Sequence, residues 1–181
     1  MIVWVNGSFG AGKTTLVAEL SSRWPDALVY DPEQVGLVLR DIVDVPTGDF
    51  QDLPLWRSQL VSLALGLLKE YERPVLVPMT LVHPLYVSEV FGALEAAGVT
   101  MHHFFLKVPA DVLERRLRAR VVTHGGGDPE RDAAGLEWVM ERMVRCVAAV
   151  DTMPTGTIFL DGERPTADLA DDLLKRVGAE I

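Results

Sequence analysis

An unbroken octet near the start of the chain, Gly7-Ser8-Phe9-Gly10-Ala11-Gly12-Lys13-Thr14, fits the pattern G-x-x-x-x-G-K-[ST] at every fixed position. The chemistry such a pattern serves is the capture of polyphosphate. A triphosphate concentrates negative charge and needs many donors in a small space. Glycines let the backbone wrap so closely that successive N–H groups point inward, and a following helix adds its positive N-terminal end. The phosphate-binding strip expected here is Gly10, Ala11, Gly12, Lys13, Thr14 and Thr15. Lys13 is expected to reach the β- and γ-phosphates of ATP, and the Thr14 hydroxyl to be one ligand of Mg²⁺.

The octet selects a donor but leaves open what receives the phosphate. Asp31 is the first candidate for that step. A carboxylate there could take a proton from a substrate hydroxyl or hold Mg²⁺ through water. The same residue can equally cap a helix that has Pro32 at its first position. Further along stand Arg115, Arg116, Arg118 and Arg120. Arg116 and Arg120 are four apart and share a helix face, where guanidinium groups can stack on a base and hold phosphate bidentately. Arg115 and Arg118 are read as solvated charges. Gly125-Gly126-Gly127 separates that helix from the next, which brings Arg142 and Arg145. A glycine loop flanked by arginines reads as a lid, about 121–134, that closes over nucleotide and excludes water. The third apolar run ends Pro78-Met79-Thr80 without a carboxylate, so Asp31 is the expected protein carboxylate beside the metal. His83 follows as a candidate substrate contact. His102 and His103 have no cysteine nearby and are not read as a metal pair. The single cysteine, Cys146, excludes an internal disulfide and is read as an inert core residue.

Strands and helices must position these groups. Ile2-Val3-Trp4-Val5 is a short β-favouring run directly before the octet. A helix follows to Trp24 and stops at Pro25. Ala27 to Tyr30 reads as a second strand that delivers Asp31, and Pro32 to about Val43 as a helix. Leu55 to Tyr71 is a long helix, apolar on most sides and therefore expected to be buried or covered by a partner. Pro74 to Thr80 is apolar throughout, as central parallel strands are. Helices are expected over His83 to about Gly98, Ala110 to about Val122, Gly135 to Asp151 and Asp168 to Val177. Strands are expected over Thr100 to Val108 and Thr157 to Asp161. This alternation is α/β with a parallel sheet covered on both faces. Ligands then gather at the carboxyl ends of the strands, which carry the octet, Asp31, Thr80 and Asp161.

The chain has 181 residues, 49% of them apolar and 24% charged, so it can build one real core and is not disordered. A net charge of −9 argues against a nucleic-acid partner. The N-terminal apolar run is too short for a signal sequence. The apolar stretch from Leu60 to Leu68 is too short to span a bilayer. The expected location is cytoplasmic.

The order of phosphate loop, arginine pair, lid-like loop and closing β–α unit resembles the nucleoside-monophosphate-kinase-like P-loop phosphotransferases. More closely, the chain is similar to bacterial tunicamycin-resistance ATP-binding proteins. The stretches that carry the resemblance are residues 4–14, Val29-Tyr30-Asp31-Pro32-Glu33, Pro54-Leu55-Trp56-Arg57, residues 77–84, His102-His103-Phe104 and Arg145-Cys146-Val147. The resemblance implies a single three-layer kinase domain over 1–181, with a five-stranded sheet in the order 2-3-1-4-5. It implies that Arg116 and Arg120 serve adenine and phosphate, and that Arg142 and Arg145 approach the γ-phosphate. Asp31 matches the base of antibiotic phosphotransferases in this group. Residues 32–72, with Arg40, Trp56 and Arg57, would form the substrate side, together with Thr80 and His83. The function expected is transfer of the ATP γ-phosphate to a hydroxyl of a small sugar- or nucleoside-like molecule such as tunicamycin. The alternatives are a nucleotide-gated protein that sequesters tunicamycin unmodified and a small-metabolite kinase. Expected partners are ATP and the small molecule, without nucleic acid or stable membrane insertion, in a monomer or homodimer.

Overall fold

Ile2–Gly7 form β1, and all six residues are buried. In the computed structural model, which describes residues 1–124 and 128–179, β1 lies at the centre of a five-stranded sheet. The other strands are β2 (Leu28–Val29), β3 (Val75–Pro78), β4 (Met101–Lys107) and β5 (Ile158–Asp161). Their order is β2-β3-β1-β4-β5 and every pairing is parallel. The helices among the described residues are α1 (Lys13–Arg23), α2 (Glu33–Arg40), α3 (Pro54–Tyr71), α4 (Pro84–Ala96), α5 (Ala110–His124), α6 (Pro129–Ala148) and α7 (Thr166–Val177). None of them is long and apolar enough to cross a membrane.

The period-two alternation of β1 divides the core. Val3 and Val5 pack with Leu16 and Leu20 of α1, Leu113 and Leu117 of α5, and Leu173 of α7. Ile2 and Trp4 face the other way, onto Trp56 and Leu60 of α3 and Val90 and Leu94 of α4. Both faces of the sheet are thus covered, which is why its central strands carry no polar alternation. Pro78 is tolerated because β2 is short. Met79 donates its N–H to Val5 O on β1, so the position before it would aim its missing N–H at β2, where pairing has already ended at Val29–Leu76.

Three elements differ from the sequence reading. Helix α2 stops at Arg40 instead of near Val43, because Ile42 and Val43 both turn back to Leu39 O and Val45, before Pro46, disfavours helix. Helix α3 is buried on one side only: Trp56, Arg57, Leu60 and Ala64 are inside, whereas Leu55 and Leu63 are exposed. Helix α6 begins at Pro129, six residues earlier than expected. Asp128 starts it, with its carboxylate accepting from the Glu130 N–H at 3.1 Å.

His102 and His103 lie on β4 as expected. His103 is part of a buried bridge, with Nε2 against Asn6 Nδ2 at 3.2 Å and Nδ1 against Thr157 Oγ1 at 2.9 Å. Burial lowers the His103 pKa to about 4, so the ring is neutral and structural. Asn6 also donates to Leu81 O at 2.7 Å, tying the end of β3 to β1 beneath the phosphate loop.

Candidate active site

The octet forms the turn between β1 and α1. Gly10 and Gly12 have φ of +76° and +98°, the left-handed region in which glycine is at ease. Gly10 packs under Leu117 of α5, and a side chain at Gly12 would meet nothing within 4 Å. Gly12 caps α1 without a side chain. The first intrahelical bond runs from Leu16 N–H to Gly12 O, so the N–H groups of Lys13, Thr14 and Thr15 have no acceptor within the helix. A strip of amides at a helix start, with open space above a glycine, is an anion cradle.

Lys13 lies over this strip. It is buried, and its Nζ donates to Ser8 O at 2.9 Å. Burial lowers its pKa from 10.5 to about 8, opposed first by the nearby Glu33 carboxylate and also by Cys146 and Asp31. Glu33 is the residue that sequence reasoning missed. Burial and the neighbouring Asp31 raise its pKa, while Lys13, Arg120 and Arg40 hold it down. Two carboxylates, Glu33 in the first turn of α2 and Asp31 just before it, therefore influence Lys13. Asp31 accepts from the Glu33 N–H at 3.0 Å, the capping role open to it from sequence. It lines a hollow of about 450 Å³ together with Thr14, Ser21 and Pro78.

Those two oxygen donors fit Mg²⁺, which takes few protein ligands and completes its shell with phosphate and water. Among the described residues no cluster of three or more His, Cys, Asp or Glu could hold a metal, so no all-protein cage competes with that arrangement.

Two cavities open beside Phe9. A cavity of about 740 Å³ is lined by Phe9, Glu33, Leu37, Arg40, Phe50 and Trp138, among others. A second, of about 450 Å³, shares Phe9, Asp49 and Gln51 and adds Thr80, His83, Arg142 and Arg145. The bridge between them is built from Asp49 and Arg142 at 3.4 Å, with the guanidinium 3.7 Å from the centre of the Trp138 ring. Phe9 meets the same ring edge-on at 5.8 Å. A third cavity, of about 570 Å³, lies between Ser8, Val108, Cys146, Asp161 and Glu163. Cys146 is buried as expected; it shares a cavity wall with Ser8 and lies within electrostatic reach of Lys13.

The arginines of α5 differ in their surroundings. Arg115 and Arg118 pair on the surface with Asp111 and Glu114. Arg116 instead donates to Gly10 O at 3.4 Å and Gly162 O at 3.3 Å, joining the loop to the turn after β5. Arg120 acts electrostatically on both Lys13 and Glu33. Arg145 is exposed, pairs with Glu141 at 2.6 Å and lines the His83 cavity. Arg40 donates to Gly48 O at 2.7 Å and stands on the wall of the larger cavity.

Two substrate assignments need correction. Trp56 has no exposed surface, and its indole N–H donates to Pro32 O at 3.0 Å. Arg57 is buried against Glu89 at 2.6 Å, Gln51 O at 2.6 Å and the Tyr86 ring. Both brace α2, α3 and the loop between them from within, and neither lines the cavities described above. Thr80 is also largely structural: its hydroxyl donates to Gly7 O at 2.8 Å. His83 stacks on Tyr86 at the cavity edge. The lid expected over about 121–134 includes residues 125–127, which lie outside the described residues.

This combination of loop, sheet order and arginine-bearing helix has relatives. The sequence pattern of the AAA domain family matches residues 2–145, most of the chain. The chain belongs to the AAA domain family. Among solved structures this AAA domain is similar to the tunicamycin resistance protein of Deinococcus radiodurans, with 26% identity, a TM-score of 0.74, and 99% of this chain and 96% of that one covered. It shares its fold with a gluconokinase of Sinorhizobium meliloti at 16% identity, TM-score 0.60 and coverage of 97% and 90%. The APS kinase of Mycobacterium tuberculosis, solved with AMPPNP and APS, shares the fold at 14% identity, TM-score 0.64 and coverage of 98% and 96%. No curated protein sequence matches the chain. The resemblance read from sequence to tunicamycin-resistance proteins and P-loop kinases therefore stands, and this AAA domain is an ATP-binding domain of P-loop kinase-like fold.

Proposed function

We propose that this AAA domain is a phosphotransferase that moves the γ-phosphate of ATP to a hydroxyl of a small sugar- or nucleoside-like molecule, with tunicamycin the leading candidate and resistance the consequence. One observation carries the reading. The phosphate strip, the buried Lys13 and a cavity large enough for a drug-sized molecule meet at Phe9 and Glu33.

In this reading the amides of residues 10–15 and Lys13 hold the triphosphate, and Arg116 and Arg120 serve adenine and phosphate. Thr14 and Asp31 hold Mg²⁺, which supplies neutralisation of charge on the phosphate oxygens. Glu33 takes the role of base that the sequence reading gave to Asp31. Its side chain faces the acceptor cavity, whereas Asp31 faces the hollow beside Thr14. A carboxylate whose pKa burial raises is also the better proton acceptor. The acceptor hydroxyl gives its proton to Glu33 as its oxygen bonds to phosphorus. The bond from phosphorus to the bridging oxygen breaks and ADP leaves. Arg142 and Arg145 offset charge on the phosphoryl group as it moves.

Incubation with γ-labelled ATP, Mg²⁺ and tunicamycin tests this. Label is expected on the drug with the native protein and not with Lys13→Ala. Label that stays in ATP while the protein binds both molecules would favour sequestration and overturn the proposal.

A further inference from the structure

Helix α6 carries two arginines toward the same cavity, Arg142 and Arg145, and they are held very differently. The Arg145 side chain is 68% exposed and pairs with Glu141 of its own helix. The Arg142 side chain is only 16% exposed, and its surroundings fix it on two sides. Its guanidinium lies over the Trp138 ring, 3.7 Å from the ring centre. Its Nε donates to Asp49 Oδ2 at 3.4 Å. Neither of its terminal nitrogens has a hydrogen-bond partner among the described residues. Those two nitrogens form the fork that grips two oxygens of a phosphoryl group. Asp49 therefore takes the one edge of the guanidinium that an end-on phosphate can spare.

Asp49 is itself fixed. Its Oδ1 accepts from the Gln51 N–H at 3.0 Å, at the start of the helical turn Phe50–Asp52. Gln51 Nε2 donates to Thr80 O at 2.9 Å, and Gln51 O accepts from Arg57 at 2.6 Å. The Thr80 hydroxyl donates to Gly7 O, the first residue of the phosphate-loop octet, at 2.8 Å. On the other side, Trp138 meets Phe9 of the same octet edge-on. Both supports of Arg142 thus lead back to the phosphate loop. A carboxylate beside an arginine that awaits phosphate opposes the anion by charge, so orientation is what this one contributes.

We propose that Asp49 is the positioning residue for Arg142: it holds the Nε edge so that the terminal nitrogens stay free for the transferring phosphoryl group. This rests on the phosphoryl transfer proposed above. Arg142 offsets the charge on that group, and Asp49 acts through it. Hydrogen bonds of this kind are often long in a free enzyme and shorten once substrate is bound, in keeping with the 3.4 Å contact.

The test compares ADP with ADP plus aluminium fluoride, a mimic of the phosphoryl group in transfer, by calorimetric titration in the presence of Mg²⁺. The native protein is expected to bind the fluoride complex more tightly than ADP alone. Asp49→Asn keeps an oxygen for the Gln51 N–H but turns an amide NH₂ toward Arg142 Nε. It is expected to lose about 10²-fold of that preference, the cost of a misplacement near 1 Å, with ADP affinity and the unfolding midpoint near native. Asp49→Ser, which keeps a capping oxygen but does not reach Arg142, should behave alike. The double variant Asp49→Asn, Arg142→Ala should lose no more than Arg142→Ala does by itself. A residue that only braced the fold would add its loss to that of Arg142→Ala. An unchanged or stronger preference in Asp49→Asn, or additive losses in the double variant, would overturn the inference. Phosphoryl transfer is scored separately. Preference lost in Asp49→Asn, with no phosphate moved to any acceptor by the native protein, overturns the kinase reading and leaves the positioning role standing. Transfer at the native rate by Asp49→Asn overturns the positioning role alone. A native protein that binds the fluoride complex no better than ADP overturns both.

Discussion

Raising the pH from 7 to 9 should weaken nucleotide binding through Lys13. Burial brings its pKa in the free protein down to about 8. The protonated fraction then falls from roughly 90% at pH 7 to roughly 10% at pH 9. Bound phosphate holds the proton in place, so binding at pH 9 must first recharge the amine. ATP affinity is therefore expected to fall about tenfold across this interval. The assay is titration of a fluorescent ATP analogue, with Lys13→Met as the comparison. The variant should bind weakly at pH 7 and show no such slope. Stability carries the opposite sign. A folded-state pKa of about 8 against 10.5 for the free side chain means that the unfolded chain holds more protons between those values. Stability relative to Lys13→Met should thus rise with pH in that window, by about 1 kcal/mol between pH 8 and 9. Equal ATP affinity at pH 7 and 9, or the same slope in Lys13→Met, would refute the argument.

Three further substitutions have definite expectations. Glu33→Gln should slow phosphoryl transfer by about 10²–10⁴-fold with ATP affinity at pH 7 nearly kept; because Glu33 supports the charge on Lys13, it should also move the pH slope of ATP binding to lower pH. Asp31→Ala removes the acceptor of the Glu33 N–H and should cost about 1 kcal/mol in thermal or denaturant unfolding; it should also raise the Mg²⁺ concentration needed for transfer. Gly36→Ala would put a Cβ about 2.5 Å from the Phe50 ring, inside contact distance. It should destabilise the protein by about 1–3 kcal/mol and weaken acceptor binding without affecting ATP, measured by the same titrations.

The turn between β1 and α1 was legible because its requirements are local. A tight turn, left-handed glycines and a helix start are all written into consecutive residues, and Gly10, Gly12 and Lys13 adopt the geometry their pattern demands. The separation of Arg116 and Arg120 from Arg115 and Arg118 was also readable, since Asp111 and Glu114 stand one helical turn before the latter pair. Trp56 and Arg57 were misplaced because their orientation depends on which side of α3 meets the sheet, and a helix apolar on most sides does not declare that. Glu33 escaped notice for a different reason. An acid in the first turn of a helix is explained by the helix dipole alone, and only the packing of α2 against the loop turns it toward Lys13. Its spacing with Leu37 and Arg40, one face of a helix, was the signal present. Cys146 shows the same limit: periodicity indicated burial but not that it would share a cavity wall with Ser8.

The central claim is that the γ-phosphate leaves ATP for a small-molecule hydroxyl, and the mass of the acceptor after the reaction tests it most directly. Tunicamycin recovered from an incubation with the protein, ATP and Mg²⁺ should have gained one phosphate, and none with Lys13→Ala or without ATP. Drug of unchanged mass, from protein shown in the same experiment to hold both ATP and tunicamycin, would contradict the account.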